Sequence, residues 1–173
     1  MRPGRIRNWA AAAAVVMGVL AAPVAAQPQG AAPQVPFEDI LPLDDFSPAV
    51  LGIYRKVMLI EDEIRLHADR YEVDYALALA TCMYESGGNA NLTSWAGAKG
   101  YFQVMPATFR SLRVDTNIEA GIKYLSQQVR RFGREDYALA AYNGGPGRVS
   151  RRRPMYLETL QYVVQVSDYR NVL

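Results

Sequence analysis

The stretch DYALALATCMYESGG, residues 74–88, is the part of this 173-residue chain from which the fold is best read. Its first residue, Asp74, is a favoured N-terminal cap, and most of the positions after it are apolar. The two glycines at its end favour the left-handed conformation that terminates helices. The stretch therefore predicts a buried helix that runs from Asp74 through Tyr84 and leaves the carboxyl group of Glu85 at its C-terminal end.

Helical patterns also dominate the sequence on both sides of this stretch. Ser47 followed by Pro48 is a typical helix start, and apolar residues then recur at three- and four-residue steps as one stripe from Val50 to Ala68. Further helices are predicted from Pro106, from the capping box at Thr116 to Gly133, from Glu135 to Tyr142, and from Leu157 to about Tyr169. Since no run alternates with period two, we expect a mainly α fold with at most a small irregular β-hairpin between residues 89 and 104.

Residues 1–26 have the three parts of a secretory signal peptide. Arginines stand near the start, an apolar run covers residues 10–22, and small residues precede Gln27. A retained membrane anchor is the alternative, but the run is mostly alanine and lies near the lower length limit for a span. We expect an exported, periplasmic protein without stable membrane insertion.

Residues 27–47 contain four prolines and are predicted to form an extended tether before a catalytic domain that covers residues 48–173. The second half of the tether combines acidic residues with larger apolar ones, among them Phe37, Ile40, Leu41 and Phe46. These apolar residues form either a docking motif for a partner or an arm that packs on the domain, and the sequence favours neither.

Composition excludes several classes of function. Without the three arginines of the leader, 16 basic residues stand against 17 acidic ones, so the sequence gives no case for nucleic-acid binding. Cys82 is the only cysteine and His67 the only histidine, and they fall in different helical patterns. Because no disulfide, Cys/His pair or metal-ligand cluster can be built from them, we interpret Cys82 as a small buried residue and expect no metal.

Glu85 is the candidate catalytic residue. Apolar neighbours should desolvate its carboxyl group, and the negative end of the helix dipole also opposes ionisation, so both effects raise its pKa. A carboxyl group that keeps its proton near neutral pH can act as a general acid. An exposed glutamate at a helix end is the alternative, and it would be favoured if the residue stood alone.

Two later segments contain polar residues that are candidates to act together with Glu85. The first reads SWAGAKGYFQVMP, residues 94–106, and places Gln103 between apolar residues. A buried amide must be hydrogen-bonded, so Gln103 either braces this loop or contacts a ligand. The second reads AAYNGGPG, residues 140–147, and places Tyr142 and Asn143 at a helix end.

These three segments, in this order, resemble the soluble lytic transglycosylase family, whose catalytic domain is lysozyme-like, of the goose type. Residues 117–125 and 156–163 resemble the family's central helix and C-terminal signature, so the resemblance covers roughly residues 50–166. It implies cleavage of the β-1,4 bond between N-acetylmuramic acid and N-acetylglucosamine in peptidoglycan glycan strands, with Glu85 as general acid and base. It also implies 1,6-anhydromuramyl ends, formed when the sugar's own 6-hydroxyl attacks, and no cofactor.

The resemblance implies a set of substrate-binding residues as well. They are Ser86, Ser94, Tyr101, Phe102, Gln103, Tyr142 and Asn143. Tyr142 is expected beside Glu85, and Asn143 is expected to hold the N-acetyl sugar. Tyr101 and Phe102 depart from the family, which usually has an aliphatic residue and Met before the Gln, and we expect them to add an aromatic face to a subsite.

Hydrolytic glycosidases usually need a second carboxylate, and the sequence offers no good candidate. Asp74, Asp115 and Asp136 are better explained as caps or surface residues. Glu119 and Glu158 are expected to be structural, Glu119 through its capping box. The alternatives to a transglycosylase are a goose-lysozyme-like hydrolase, with a carboxylate brought in by folding, and a non-catalytic peptidoglycan-binding assembly factor.

A basic run follows the Tyr142–Asn143 segment and contains Arg148, Arg151, Arg152 and Arg153. It is either a solvated loop or a contact for acidic peptide stems and polymers of the cell wall. The small size of the chain suggests a monomer that opens the wall locally for a secretion, pilus or conjugation apparatus.

Overall fold

The computed structural model describes residues 47–173, and this part of the chain folds into eight helices. They are α1 (Pro48–Met58), α2 (Glu61–Tyr71), α3 (Tyr75–Ser86), α4 (Pro106–Leu112), α5 (Asn117–Phe132), α6 (Glu135–Gly144), α7 (Pro146–Ser150) and α8 (Leu157–Val172). Isolated antiparallel bridges join Thr93 to Lys99 and Lys99 to Val104. The mainly α fold with a small irregular hairpin is therefore confirmed. The predicted signal peptide and residues 27–46 of the tether lie outside the described residues.

The single apolar stripe expected from Val50 to Ala68 is divided between two helices. Helix α1 ends at Met58, and the amides of Leu59 and Ile60 bond carbonyls only three residues back. Helix α2 then begins at Glu61 with three acidic residues in its first turn, a composition that complements the positive end of a helix dipole. The stripe hides this break because the apolar spacing continues across it.

Helix α3 is bounded by the predicted signals. The carboxylate of Asp74 accepts a hydrogen bond of 2.8 Å from the amide of Leu77 at its start. Gly87 has a φ of 58° at its end, and its amide bonds the carbonyl of Met83. Since the helix continues to Ser86, Glu85 lies inside its last turn, one residue further into regular structure than predicted.

Packing among the helices connects α3, α6 and α8. Helix α3 packs against α8 and α2, α8 also packs against α6, and α5 contacts α2, α4 and α6. The compact unit formed by Ile53–Leu173 contains all of these contacts. Candidate residues on α3, α6 and the loop before α4 are thus supported by a common core. Within residues 47–173, no helix is both long and apolar enough to cross a bilayer.

Glu119 has a different structural role from the one expected. Thr116 caps α5 by accepting a hydrogen bond of 3.1 Å from the Glu119 amide. The Glu119 side chain turns instead toward α2, where it accepts hydrogen bonds from the Tyr71 hydroxyl at 2.6 Å and from Arg70 at 3.0 Å. The Tyr71 hydrogen bond lowers the pKa of this carboxyl group, which connects two helices rather than completing a capping box.

Candidate active site

Glu85 lies in the last turn of α3 and is only partly exposed to solvent. Burial raises the pKa of its carboxyl group to about 8, and a nearby hydroxyl group on Tyr162 acts in the opposite direction by favouring the carboxylate. Desolvation is the larger effect because the charged form loses its hydration in this apolar surrounding. At neutral pH the group therefore holds its proton, which is the state that a general acid needs.

Tyr142 is near Glu85 and connects α6 to the loop before α4. Its hydroxyl donates a hydrogen bond of 2.8 Å to the carbonyl of Phe102. Its ring contacts that of Tyr124, with 5.2 Å between the centroids. Burial, followed by the nearby Glu85 charge, raises the pKa of the Tyr142 phenol well above its usual value, so this hydroxyl remains a hydrogen-bond donor at all physiological pH values.

Tyr162 is a site residue that the sequence reasoning missed. Its side chain is fully buried in α8, and its ring meets that of Tyr84 edge-on at 4.9 Å. Its hydroxyl forms no hydrogen bond of good geometry within the described part of the chain, yet it is close enough to Glu85 to stabilise the carboxylate. The one sequence signal was its position inside the segment 156–163, to which no separate role was given.

Ser86 stabilises the helix end beside Glu85. Its hydroxyl oxygen accepts a hydrogen bond of 3.1 Å from the Gly88 amide, and the hydroxyl lies 3.5 Å from the Cys82 carbonyl as a weak donor. Gly88 itself has a φ of +77°, and a Cβ atom there would stand 2.8 Å from the Cβ of Lys56. Ser86 therefore fixes the backbone after Glu85, and its role in substrate binding stays a prediction.

Gln103 braces the loop before α4. Its Nε2 atom donates to the Gly100 carbonyl at 2.9 Å and to the Leu92 carbonyl at 3.1 Å. The residue has a φ of 45°, a left-handed conformation that costs a non-glycine residue about 1 kcal/mol and persists only where the surroundings hold it. Of the two roles considered for Gln103, the structure shows the bracing one, and a contact with sugar stays a prediction.

Contrary to the expectation from the sequence, Phe102 does not add an aromatic face to a subsite. Its side chain is fully buried, and a Cβ atom at Gly121 of α5 would lie only 2.2 Å from the Cβ of Phe102. The ring therefore packs against the α5 backbone and presents no face to solvent. Tyr101 is partly exposed, so the expectation of an aromatic contact for substrate remains with Tyr101 alone.

Asn117, at the start of α5, holds the same loop from the other side. Its Oδ1 atom accepts a hydrogen bond of 2.9 Å from the Phe102 amide, and its Nδ2 atom donates to the Lys99 carbonyl at 2.9 Å. A Cβ atom at Gly100 would stand 2.6 Å from the Asn117 amide carbon, so the glycine allows this close approach. The Asn117 side chain thus fixes the loop to α5 by two hydrogen bonds, in addition to the packing of Phe102.

Asn117→Ala is expected to destabilise the protein by about 1–3 kcal/mol, because it removes two hydrogen bonds and leaves a backbone amide without its partner. Urea denaturation followed by circular dichroism measures this change. Asn91→Ala is the matched control, since Asn91 is exposed and its side chain makes no hydrogen bond within residues 47–173. Equal midpoints for the two variants would show that the Asn117 contacts do not hold the loop.

Ser94 lies in the loop before α4, and Asn143 lies in the last turn of α6. The Ser94 hydroxyl accepts a hydrogen bond of 3.0 Å from the Ala98 amide and closes a tight turn. Asn143 is exposed, and its Oδ1 atom accepts a hydrogen bond of 2.8 Å from the Thr159 hydroxyl. This contact orients the Asn143 amide and leaves its Nδ2 group without an acceptor in the described chain.

Asp74 and Asp136 have structural roles, and Asp115 lies at the surface. Asp74 caps α3 at the end opposite Glu85, about 16 Å away at 1.5 Å per residue. Asp136 is paired with Arg134 at 2.6 Å, and Asp115 is exposed. The causes of the Glu85 pKa shift are desolvation and Tyr162, with no acidic residue among them. Within the described residues, the raised pKa of Glu85 is therefore explained by burial and not by a neighbouring carboxylate.

Cys82 has the surroundings of a structural residue. The arginine run has those of surface residues. Cys82 is buried in α3, and burial raises the pKa of its thiol to about 12, so it is an unreactive thiol at neutral pH. Arg151, Arg152 and Arg153 are exposed, whereas Arg148 stacks on the Tyr156 ring at 3.8 Å. Within residues 47–173, no group of three or more potential metal ligands is present.

The described helices thus bring together one partly exposed glutamate, Glu85, the partly exposed Tyr142 and the fully buried Tyr162. The family model described as "Transglycosylase SLT domain" matches residues 62–156, which is more than half of the chain. The chain therefore belongs to the transglycosylase SLT family.

Relatives with known names agree with this family. The chain is 39% identical over 82 residues to the transglycosylase of Enterobacteria phage PRD1, which covers 44% of this chain and 31% of the relative. It is 35% identical over 95 residues to the soluble lytic murein transglycosylase of Salmonella typhimurium, with 45% and 15% covered. The chain thus spans less than a third of the length of these relatives.

Two solved structures share the fold at moderate similarity. The 70 kDa soluble lytic transglycosylase of Escherichia coli gives a TM-score of 0.58 at 28% identity, over 63% of this chain and 23% of that one. An inactive mutant of the lytic transglycosylase Slt of Pseudomonas aeruginosa gives a TM-score of 0.56 at 28% identity, over 62% and 22%.

Proposed function

We propose that this protein is a peptidoglycan lytic transglycosylase, and that Glu85 is its single general acid and base. The observation that supports this most strongly is the position of Glu85 in the last turn of α3 near Tyr142 and Tyr162, where burial raises the pKa of its carboxyl group, in a chain that belongs to the transglycosylase SLT family. The substrate is the β-1,4 bond between N-acetylmuramic acid and N-acetylglucosamine in glycan strands. The soluble lytic murein transglycosylases among its relatives support this choice of substrate.

In the first step, the protonated Glu85 donates its proton to the glycosidic oxygen, and the bond from that oxygen to the muramic acid C1 breaks. The leaving sugar departs with a new hydroxyl group. Positive charge develops at C1, and the substrate's own acetamide group can stabilise it. The low polarity that keeps Glu85 protonated also strengthens the attraction between the new Glu85 carboxylate and the positive charge at C1.

In the second step, the Glu85 carboxylate removes the proton from the 6-hydroxyl of the same muramic acid while that oxygen bonds to C1. The product is a 1,6-anhydromuramyl end, and Glu85 regains the proton that it donated, so no water is consumed. The nearby Tyr162 hydroxyl stabilises the carboxylate between the two steps. Tyr142 and Asn143 are proposed to position the sugars, together with Ser86, Ser94, Tyr101 and Gln103.

A hydrolase of the goose-lysozyme type is the main alternative. Such an enzyme would use a second carboxylate to activate water. The structural roles of Asp74 and Asp136 within residues 47–173 favour the intramolecular attack instead.

Catalytic efficiency, kcat/KM, is expected to fall about tenfold per pH unit above pH 8, because only the protonated form of Glu85 can donate. The rate of release of soluble fragments from dye-labelled sacculi between pH 5 and pH 10 measures this profile, and circular dichroism at each pH shows that the protein remains folded. A decline that begins near pH 5, the range of an ordinary glutamate, would contradict a raised pKa.

The proposed reaction is tested by incubating the protein with purified sacculi and identifying the released fragments by mass spectrometry. Anhydromuramyl ends are the expected product. Reducing ends would favour the hydrolase. Binding to sacculi without any released fragment would favour a non-catalytic assembly factor.

Export to the periplasm and the division into a signal peptide (1–26), a tether (27–47) and a catalytic domain (48–173) remain proposals, since they depend largely on residues outside the described range. A substrate in the cell wall is consistent with them. Action as a monomer and local wall opening at a secretion, pilus or conjugation apparatus are likewise proposals.

A further inference from the structure

Trp95 is an exposed aromatic residue on a well-fixed turn. Its exposed fraction is 82%, although tryptophan is normally among the more buried residues. The turn is closed by the Gly97 amide on the Ser94 carbonyl at 2.9 Å and by the Ser94 amide on the Ala98 carbonyl at 2.8 Å. The ring is therefore mounted on an ordered support, and its exposure is not that of a loose loop tip.

The contacts of Trp95 do not explain why a tryptophan stands at this position. In the described part of the chain, it takes part in none of the ring–ring or cation–π contacts that involve the other aromatic residues. A large ring left in water contributes little to folding, because its stabilising effect comes from burial. The side chain is thus available for a ligand.

The turn belongs to the loop that the candidate active site holds in place. Backbone bridges connect Thr93 to Lys99 and Lys99 to Val104. The adjoining Phe102 carbonyl accepts the hydrogen bond of Tyr142, which in turn lies near Glu85. A few covalent and hydrogen-bonded steps therefore connect Trp95 to the site, and its ring is exposed on the same loop that carries the Phe102 carbonyl.

We propose that Trp95 is a stacking platform for a pyranose ring of the glycan strand, at a subsite beyond the two sugars that flank the cleaved bond. One face of a β-linked pyranose presents weakly positive C–H groups, which pack on the negative face of an aromatic ring. A platform of this kind needs no hydrogen-bonding partners. This inference rests on the proposed function, and it adds that long glycans are bound more tightly than short ones.

Binding energy from this remote subsite would act on long substrates only. A disaccharide that occupies the sugars at the cleaved bond cannot reach the platform, whereas a longer strand can. Removal of the ring should therefore reduce affinity for long oligosaccharides about tenfold and leave the affinity for a disaccharide unchanged.

Intrinsic fluorescence provides a direct test, because the chain has only two tryptophans, Trp9 and Trp95. Trp9→Phe leaves Trp95 as the only tryptophan whether or not residues 1–26 are retained, and Glu85→Gln prevents turnover during titration. Oligomers of N-acetylglucosamine with two to eight sugars, and glycan strands freed of peptide, are the probes. A saturable blue shift of the emission that strengthens with oligomer length is expected.

Variants at position 95 complete the test by calorimetry with the same oligomers. Trp95→Ala is expected to lose affinity for the octamer about tenfold, and Trp95→Tyr, which keeps an aromatic face, to retain most of it. Unchanged octamer affinity in Trp95→Ala would overturn the subsite. If fragments are still released from sacculi in a Glu85-dependent way, the proposed function stands without this subsite; if none are released and no oligomer binds, both proposals fail.

Discussion

Glu85→Gln is expected to reduce the release of fragments from purified sacculi by about 10³-fold, within the range that general acid–base catalysis contributes. Glutamine has nearly the same shape but can neither donate the required proton nor take up the proton of the 6-hydroxyl. Both steps of the proposed reaction are therefore lost together. Chromatographic quantification of soluble anhydromuropeptides measures the effect.

The same variant should be folded and more stable than the wild type at alkaline pH. The pKa of Glu85 is raised from 4.5 to about 8 by burial, so the protonated form is favoured in the folded state. This contribution to stability is complete below pH 4.5 and is lost as the pH rises through 8. We expect Glu85→Gln to have the higher Tm at pH 9 and a similar Tm at pH 4.

Glu72→Gln is the matched control for activity, because the Glu72 side chain is 79% exposed and, among residues 47–173, pairs only with the exposed Arg130. It should retain the activity of the wild type. If Glu85→Gln also retained more than a tenth of that activity while folded, Glu85 could not be the general acid.

Gly121→Ala is expected to destabilise the protein by about 3 kcal/mol or more, the upper part of the range for overpacking a core. The added Cβ atom would stand 2.2 Å from the Cβ and 2.3 Å from the Cγ of Phe102. Phe102 cannot move away easily, because it is fully buried and its backbone is bonded to Asn117 and Tyr142. Thermal unfolding followed by circular dichroism gives the shift in Tm.

Gly52→Ala is the control for this prediction. Gly52 is also helical, but a Cβ atom there would meet nothing within 4 Å, so the substitution should be neutral or stabilise by up to about 1 kcal/mol. Phe102→Ala combined with Gly121→Ala should cost less than the sum of the two single variants, since alanine lacks the Cγ and Cδ1 atoms that the new Cβ would meet at 2.3 Å and 2.6 Å. Additive effects in this double variant would show that α5 and the loop are not packed as described.

Local signals in the sequence were sufficient to predict most of the helices. Asp74, Thr116 and Gly133 were identified as helix ends because capping depends on residues within one turn of each other. The break after Met58 was missed, because an apolar stripe records burial and not the continuity of a helix. The burial of Glu85 near a helix end was also predicted, since its apolar helix and its position near the helix end are both local properties.

The parts of the site that were missed depend on contacts between distant segments. The burial of Phe102 requires the absence of a side chain at Gly121, nineteen positions later. Tyr162 lies near Glu85 only because α8 packs against α3. Glu119 has the sequence of a capping box, but Tyr71 and Arg70 offer its carboxylate stronger hydrogen bonds. Neither propensity nor spacing contains this information.

The central claim is that one buried carboxyl group remains protonated near neutral pH and thereby serves as the acid and then the base. The most direct measurement is a titration of the Glu85 carboxyl carbon by ¹³C NMR in protein labelled at the glutamate side chains, with Glu85→Gln to assign the resonance. The expected midpoint of the Glu85 titration is near pH 8. A midpoint near 4.5, the ordinary value for glutamate, would contradict it.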